Sequence, residues 1–183
     1  WCAVVGMGGV EIELADGALK GEHGSTAVLH ADETPGQRVK PGAGKTNRAY
    51  RWAYAPGAFE DTKAVVYDFC ESRAGEHARA FLGDWKGSLI CDDYAGYKQS
   101  IAHGITEVGC LAHARRKFFD LHAANKSQVA QSALQQIATI YEIERELKNL
   151  EPGERQRIRQ LRSAPVMDAL QRWMLLTRQK ITD

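Results

Sequence analysis

Two acidic clusters hold the residues best suited to chemistry in this chain. In "VLHADETPGQRV" the apolar pair Val28 and Leu29 leads into Asp32 and Glu33, and in "GSLICDD" Leu89 and Ile90 lead into Asp92 and Asp93. Each cluster closes what reads as a strand, with Pro35 and Gly36 expected to break the first. Acids at strand ends are commonly turn formers or helix caps. A central sheet can instead bring two strand ends side by side, where paired carboxylates repel unless a divalent cation neutralises them. Two such cations about 3.5–4 Å apart can activate an attacking oxygen and stabilise a leaving one in phosphoryl transfer. Asp32 and Asp92, 60 residues apart, are therefore candidate metal ligands.

Other stretches are less specific. Cys110 and His113 in "GCLAHARRKFF" make half of a zinc site at most, because tetrahedral zinc takes four ligands and Cys91, His77, His103 and His122 are scattered. The next three cations, Arg115, Arg116 and Lys117, precede Phe118 and Phe119. Such a helix can hold phosphates over a packed aromatic face, or can simply be amphipathic. Tyr94 and Tyr97 flank Gly96, which permits close backbone approach; the tyrosines can stack on a ligand or pack in the core. "GAGKT" (42–46) suggests a phosphate loop, but that motif needs a glycine where Val39 stands and a helix where "NRAYRW" reads as a strand. A lysine-rich connector fits better.

The elements that must position these residues follow from periodicity. Short apolar, β-branched runs at 27–31, 50–55 and 63–70 predict three strands in an antiparallel meander. Residues 72–85 place Ala78, Phe81, Leu82 and Trp85 at helical spacing, and strands are predicted at 87–93 and 105–110 with a short helix or turn between them. "LAHARRKFFDLHAAN" predicts a helix. From about 127 the chain reads as helical, with Leu134, Ile137, Ile140, Tyr141, Leu147 and Leu150 as its apolar stripe, a break at "EPGE" and a kink or break at Pro165. "VEIELADGALK" near the start suits either a short helix or a strand. Strands mixed with helices in this order predict an α/β layer with a helical extension.

Composition sets the bounds. The 183 residues are 44% hydrophobic and 26% charged, enough for one sizeable core. No run has the length of a membrane span, and four separated cysteines suit a reducing cytoplasm better than a disulfide framework. The net charge is +1, yet residues 1–110 carry −4 and 111–183 carry +5. That division suits carboxylates around a metal beside cations on a polyanion, and equally a solvated helical face.

Taken together, "LHADETP", "CDDYAGY", "EVGCLAHARRKFFD", "IYEIERELKNL" and "RSAPVMDALQRW" closely resemble the transposases of the insertion-sequence 66 family, from about residue 26 onward. The resemblance implies a ribonuclease-H-like α/β fold, a mixed sheet with flanking helices and a C-terminal helical insertion. It implies an Asp-Asp-Glu triad holding Mg²⁺ or Mn²⁺, with Asp32 and Asp92 as the first two carboxylates and Cys110 and His113 supporting the site. The triad's Glu belongs to an Asn-Asn-x-x-Glu-Arg segment that does not occur before Asp183, so it is expected beyond that residue. The expected organisation is a weakly matched segment 1–25, a partial catalytic core 26–125 and a truncated helical insertion 126–183. The expected function is DNA cleavage at transposon ends and strand transfer to target DNA by a homo-oligomeric complete protein, with Arg115, Arg116 and Lys117 near phosphates. A fragment lacking the third carboxylate is expected to be inactive or nearly so. Alternatives are a non-catalytic remnant that binds DNA or a partner, and another nuclease of the same fold.

Overall fold

The computed structural model describes residues 26–39, 46–60 and 65–182. The element expected in "VEIELADGALK" and all of "GAGKT" but Thr46 lie outside them.

Five strands form one mixed sheet: β1 (Val28–Val39), β2 (Thr46–Pro56), β3 (Val66–Cys70), β4 (Ser88–Cys91) and β5 (Thr106–Gly109), in the spatial order β3-β2-β1-β4-β5. β1, β2 and β3 pair antiparallel, as the expected meander requires, whereas β4 and β5 join parallel to β1. The parallel pairings need crossovers, supplied by α1 (Gly75–Leu82) before β4 and by a 3-10 turn (Ala95–Tyr97) with α2 (Lys98–Ala102) before β5. This is a ribonuclease-H-like α/β arrangement.

The first two strands run longer than their apolar stretches indicate. Pro35 and Gly36 do not break β1, which continues to Val39 against β2. Ala27 O accepts from Ser88 N on the β4 side and Val28 O from Gly57 N on the β2 side, so odd-numbered β1 residues address β4. The β1–β4 ladder ends at His30 and Ile90, and Pro35 therefore turns its missing N–H toward an open edge, where no ladder bond is lost. Asp32 and Glu33 consequently lie within a strand, not at its end.

One face of the sheet buries Leu29, Ala31, Trp52, Tyr54, Val66 and Leu89 against Ala78, Phe81 and Leu82 of α1, the helical stripe expected there. Tyr54 stacks on Phe81 at 3.7 Å between ring centroids, and Trp85 donates from Nε1 to Thr26 O at 2.8 Å.

The chain divides into two compact units, one up to Cys110 and one from Leu111. The second holds α3 (Leu111–Asn125), α4 (Gln128–Leu147), α5 (Pro152–Ile158) and α6 (Ala164–Thr182). The helix expected at 111–125 thus groups with the helices after it. Ser127 caps α4 by accepting from Ala130 N at 3.2 Å. The buried stripe of α4 runs through Ala130, Ala133, Ile137, Ile140, Ile143 and Leu147, while Leu150 falls beyond the helix and is exposed. Pro152 opens α5 at its first position, as the "EPGE" break requires. Before Pro165 the chain widens into a π turn, Arg159–Ser163: a proline cannot donate to the carbonyl four residues back, and its ring crowds that carbonyl. No described helix is long and apolar enough to cross a membrane.

A candidate metal centre at the carboxyl ends of the parallel strands

The pairing of Val28 with Ser88, Leu29 with Leu89 and His30 with Ile90 has a constant offset of 60 residues. The same offset separates Asp32 from Asp92. Asp32 continues the face of β1 that carries His30, opposite the core face of Leu29 and Ala31, and Asp92 is the first residue after β4. The pairing ends at His30 and Ile90, so both acids lie just past the β1–β4 ladder. The carboxyl ends of parallel strands are where open α/β sheets characteristically bind ligands. Asp32 is exposed, Asp92 half-buried, and Asp92 Oδ1 accepts from Tyr94 N at 3.0 Å, which fixes the turn after β4.

The second acid of each cluster goes elsewhere. Asp93 is exposed and pairs with Lys98 at 2.7 Å, and Lys98 also bonds Glu107 at 2.7 Å. Strand alternation sends Glu33 to the core face, where its side chain is 1% exposed. Glu33 Oε1 accepts from Nε (2.9 Å) and Nη2 of Arg73, and Oε2 accepts from the Tyr97 hydroxyl at 2.8 Å. Burial raises the Glu33 carboxyl above its ordinary value, Arg73 and Tyr97 pull it back down, and the negative charge of Asp92 raises it again. With both oxygens engaged, Glu33 is a structural acid rather than a third metal ligand.

Arg73 is held from several sides. Its guanidinium lies 3.9 Å from the centre of the Tyr94 ring, its carbonyl accepts from the Tyr94 hydroxyl, and Glu33 takes two of its N–H groups. Tyr94 and Tyr97 therefore serve packing and orientation together. The close approach expected at Gly96 is made by α1: a Cβ on Gly75 would come within 2.4 Å of Gly96 O. The sequence offered Glu33 within an acidic cluster and Tyr97 as a stacking or packing residue, but neither their bond to each other nor Arg73 as the partner of Glu33. The available signal was that an acid on the core face of a strand needs a buried partner.

The remaining candidates are placed as follows. Cys110 follows β5, its N–H donating to Cys91 O at 2.9 Å, and His113 is half-buried in the first turn of α3. Cys91 is buried, its thiol pushed up to about 11 by burial. Among the described residues no three His, Cys, Asp or Glu side chains are grouped to hold a metal ion. Arg115, Arg116 and Lys117 are all exposed on α3, but the aromatics beside them differ from the expected buried face. Phe118 packs with Ile137, Ile140 and Leu170, whereas Phe119 is exposed beneath Arg115, 6.0 Å from the guanidinium to the ring centre. Of the acids nearest the end of the core, Glu144 is bonded by Arg159 at 2.8 and 2.6 Å, Glu146 by Arg162, and Glu142 lies 3.8 Å from Arg145. Glu144 and Glu146 tie α4 to the π turn, whereas Glu142 and Arg145 pair within α4.

An uncharacterized protein of Sinorhizobium fredii, y4jD, is 37% identical to this chain over 158 residues, covering 80% of this chain and 31% of that protein. A second from the same organism, y4qI, is 31% identical over 154 residues, covering 78% and 29%. A third, y4hP, is 30% identical over 165 residues, covering 80% and 30%. The chain spans about three-tenths of the length of these relatives. At the level of families, residues 2–183 match the one described as Transposase IS66 family, a match that includes both units. The chain belongs to the IS66 transposase family.

Proposed function

We propose that this chain is the part of a transposase that holds the first two carboxylates of a metal-dependent DNA-cleaving and strand-transfer site. The observation that supports the reading best is the parallel register of β1 and β4, whose 60-residue offset Asp32 and Asp92 share just beyond the last paired residues. Two hard oxygen donors on a rigid sheet suit Mg²⁺ or Mn²⁺, which are commonly held by one or two carboxylates, with waters and substrate phosphates completing the shell. When bound, the cations supply charge for activating a water or 3′ hydroxyl and for stabilising the departing oxygen. Asp32 and Asp92 hold that charge in place, and the Tyr94 N–H orients Asp92. Arg115, Arg116 and Lys117 contact DNA phosphates, and Cys110 and His113 support the site without supplying its carboxylates. Cleavage at element ends, transfer to a target and assembly of several copies belong to the complete protein.

Calorimetry with Mn²⁺ on the unaltered chain, Asp32→Ala and Asp92→Ala tests this reading. Binding that is lost in both variants supports it. No binding, or binding indifferent to either change, removes it and leaves family membership alone. The second reading, a chain that binds DNA without cutting it, is favoured by the arginine pairing of Glu142, Glu144 and Glu146, none of which is poised as a third carboxylate. On either reading the isolated chain cuts DNA weakly or not at all; robust Mg²⁺-dependent cleavage of a duplex by this chain would contradict both.

A further inference from the structure

Beyond Asp32, the face of the sheet that carries it does not end. Alternation places Thr34, Gly36 and Arg38 of β1 on that face, and the β1–β2 register sets Arg51 opposite Thr34, Ala49 opposite Gly36 and Asn47 opposite Arg38. On the next strand Phe69 stands opposite Arg51. Gly36, Arg38, Ala49, Arg51, Phe69 and Glu71 are among the residues lining a cleft of about 630 Å³. Phe69 is 55% exposed, an unusual setting for a phenylalanine within a strand. Arg51 is exposed, and Arg38 is oriented by donating to Glu71.

The charge here runs against its surroundings. Between Glu33 and Glu60 the sequence has five Lys and Arg and no acid, although residues 1–110 as a whole carry −4. Two rows of the sheet, about 7 Å, separate Asp32 from the Arg51–Phe69 row, and the track from Asp32 to Arg38 runs roughly 20 Å. Cations spaced along a cleft with an exposed ring between them fit a nucleic-acid strand: guanidinium groups meet phosphates while the ring offers a face to an unpaired base. An acidic peptide would use the cations and leave the ring idle.

We infer that the β1–β2–β3 cleft binds an unpaired DNA strand, with Arg51 and Arg38 on its phosphates and one base stacked on Phe69, and leads it to Asp32. This rests on the reading that the chain handles DNA, and it adds the form of that DNA and the residues that receive it.

Fluorescence anisotropy with a labelled single-stranded DNA oligonucleotide and the duplex of the same sequence, in EDTA and over a series of salt concentrations, tests it. Arg51→Gln and Arg38→Gln each lower the salt dependence by about one released ion. Phe69→Leu keeps the apolar bulk without the ring and weakens single-strand binding roughly tenfold, the size of one base–aromatic stack, while Phe69→Tyr retains it. Phe59→Ala, an exposed aromatic outside the cleft, changes neither. Single-strand binding that is unchanged in Arg51→Gln and Phe69→Leu overturns the inference, as does equal displacement by a poly-glutamate peptide or no binding by the unaltered chain. Because EDTA removes the cations, the outcome is independent of the Mn²⁺ experiment: Mn²⁺ bound through Asp32 and Asp92 with an indifferent cleft sinks only the inference, and the converse sinks only the metal reading.

Discussion

Arg73 joins the two acidic segments of the sheet unit. It pairs with the residue after Asp32, stacks on the second residue after Asp92, and sits at the start of α1. Removing its guanidinium would leave Glu33 buried with only Tyr97 for company. Breaking a buried pair costs about 3–5 kcal/mol, and the 43% exposure of the Arg73 side chain reduces that, so Arg73→Ala is expected to lose about 2 kcal/mol in urea unfolding. A loss below about 0.5 kcal/mol, the usual span of an inert surface change, would show that the pair carries no stability. The pH dependence has a definite sign. Because the Glu33 carboxyl is raised above its ordinary 4.5, its contribution is fully present below about pH 4.5 and is lost as pH rises through the folded value. Glu33→Gln stays neutral and escapes that loss, so the unaltered chain should compare best with it in acid and progressively worse toward neutrality; the opposite trend in melts across pH would refute the assignment.

At the scale of elements, the helical unit is joined by ion pairs of the opposite sense. Glu144 on α4 is lowered below its ordinary 4.5, first by its hydrogen bonds from Arg159, which outweigh the opposing effect of burial, and then by the charges of Arg159 and Arg155. Such a contribution is present above about pH 4.5 and is lost as pH falls through the folded value. Thermal melts followed by far-UV circular dichroism should therefore show a stability advantage over Glu144→Gln at neutral pH that disappears in acid. The pair is partly solvated, so the advantage is about 1 kcal/mol or less. An advantage that persists at pH 2 would mean that packing, not charge, accounts for the difference.

At the scale of the whole molecule, the described residues form two cores with no shared member, one around Leu29, Trp52, Tyr54 and Leu89 and one around Ile137, Ile140 and Leu170. Each can lose packing on its own account. Leu89→Ala, which removes a fully buried side chain, should cost about 2–5 kcal/mol and raise hydrogen exchange within residues 26–110, leaving the amides of α4 near their original rates. Equal acceleration in both units would show that they unfold as one.

Much of this arrangement was legible in the residues themselves. Strand and helix order followed from apolar spacing, because periods of two and 3.6 are local properties of the backbone. Asp32 and Asp92 were legible as the acids that follow two apolar runs, a pattern that is local to each run. The lengths of β1 and β2 were not legible. A proline is tolerated inside β1 only because β4 stops short of it, and that is a fact about a strand about fifty residues away in sequence. The division of labour within each acidic pair was likewise decided in three dimensions. Asp32 faces the open side while Glu33 is buried under Arg73 and Tyr97, a contact assembled from segments 40 and 64 residues distant. The sequence alone determined which residues alternate and which acids exist; the tertiary structure decided which were desolvated, because burial depends on what the far parts of the chain bring to each face.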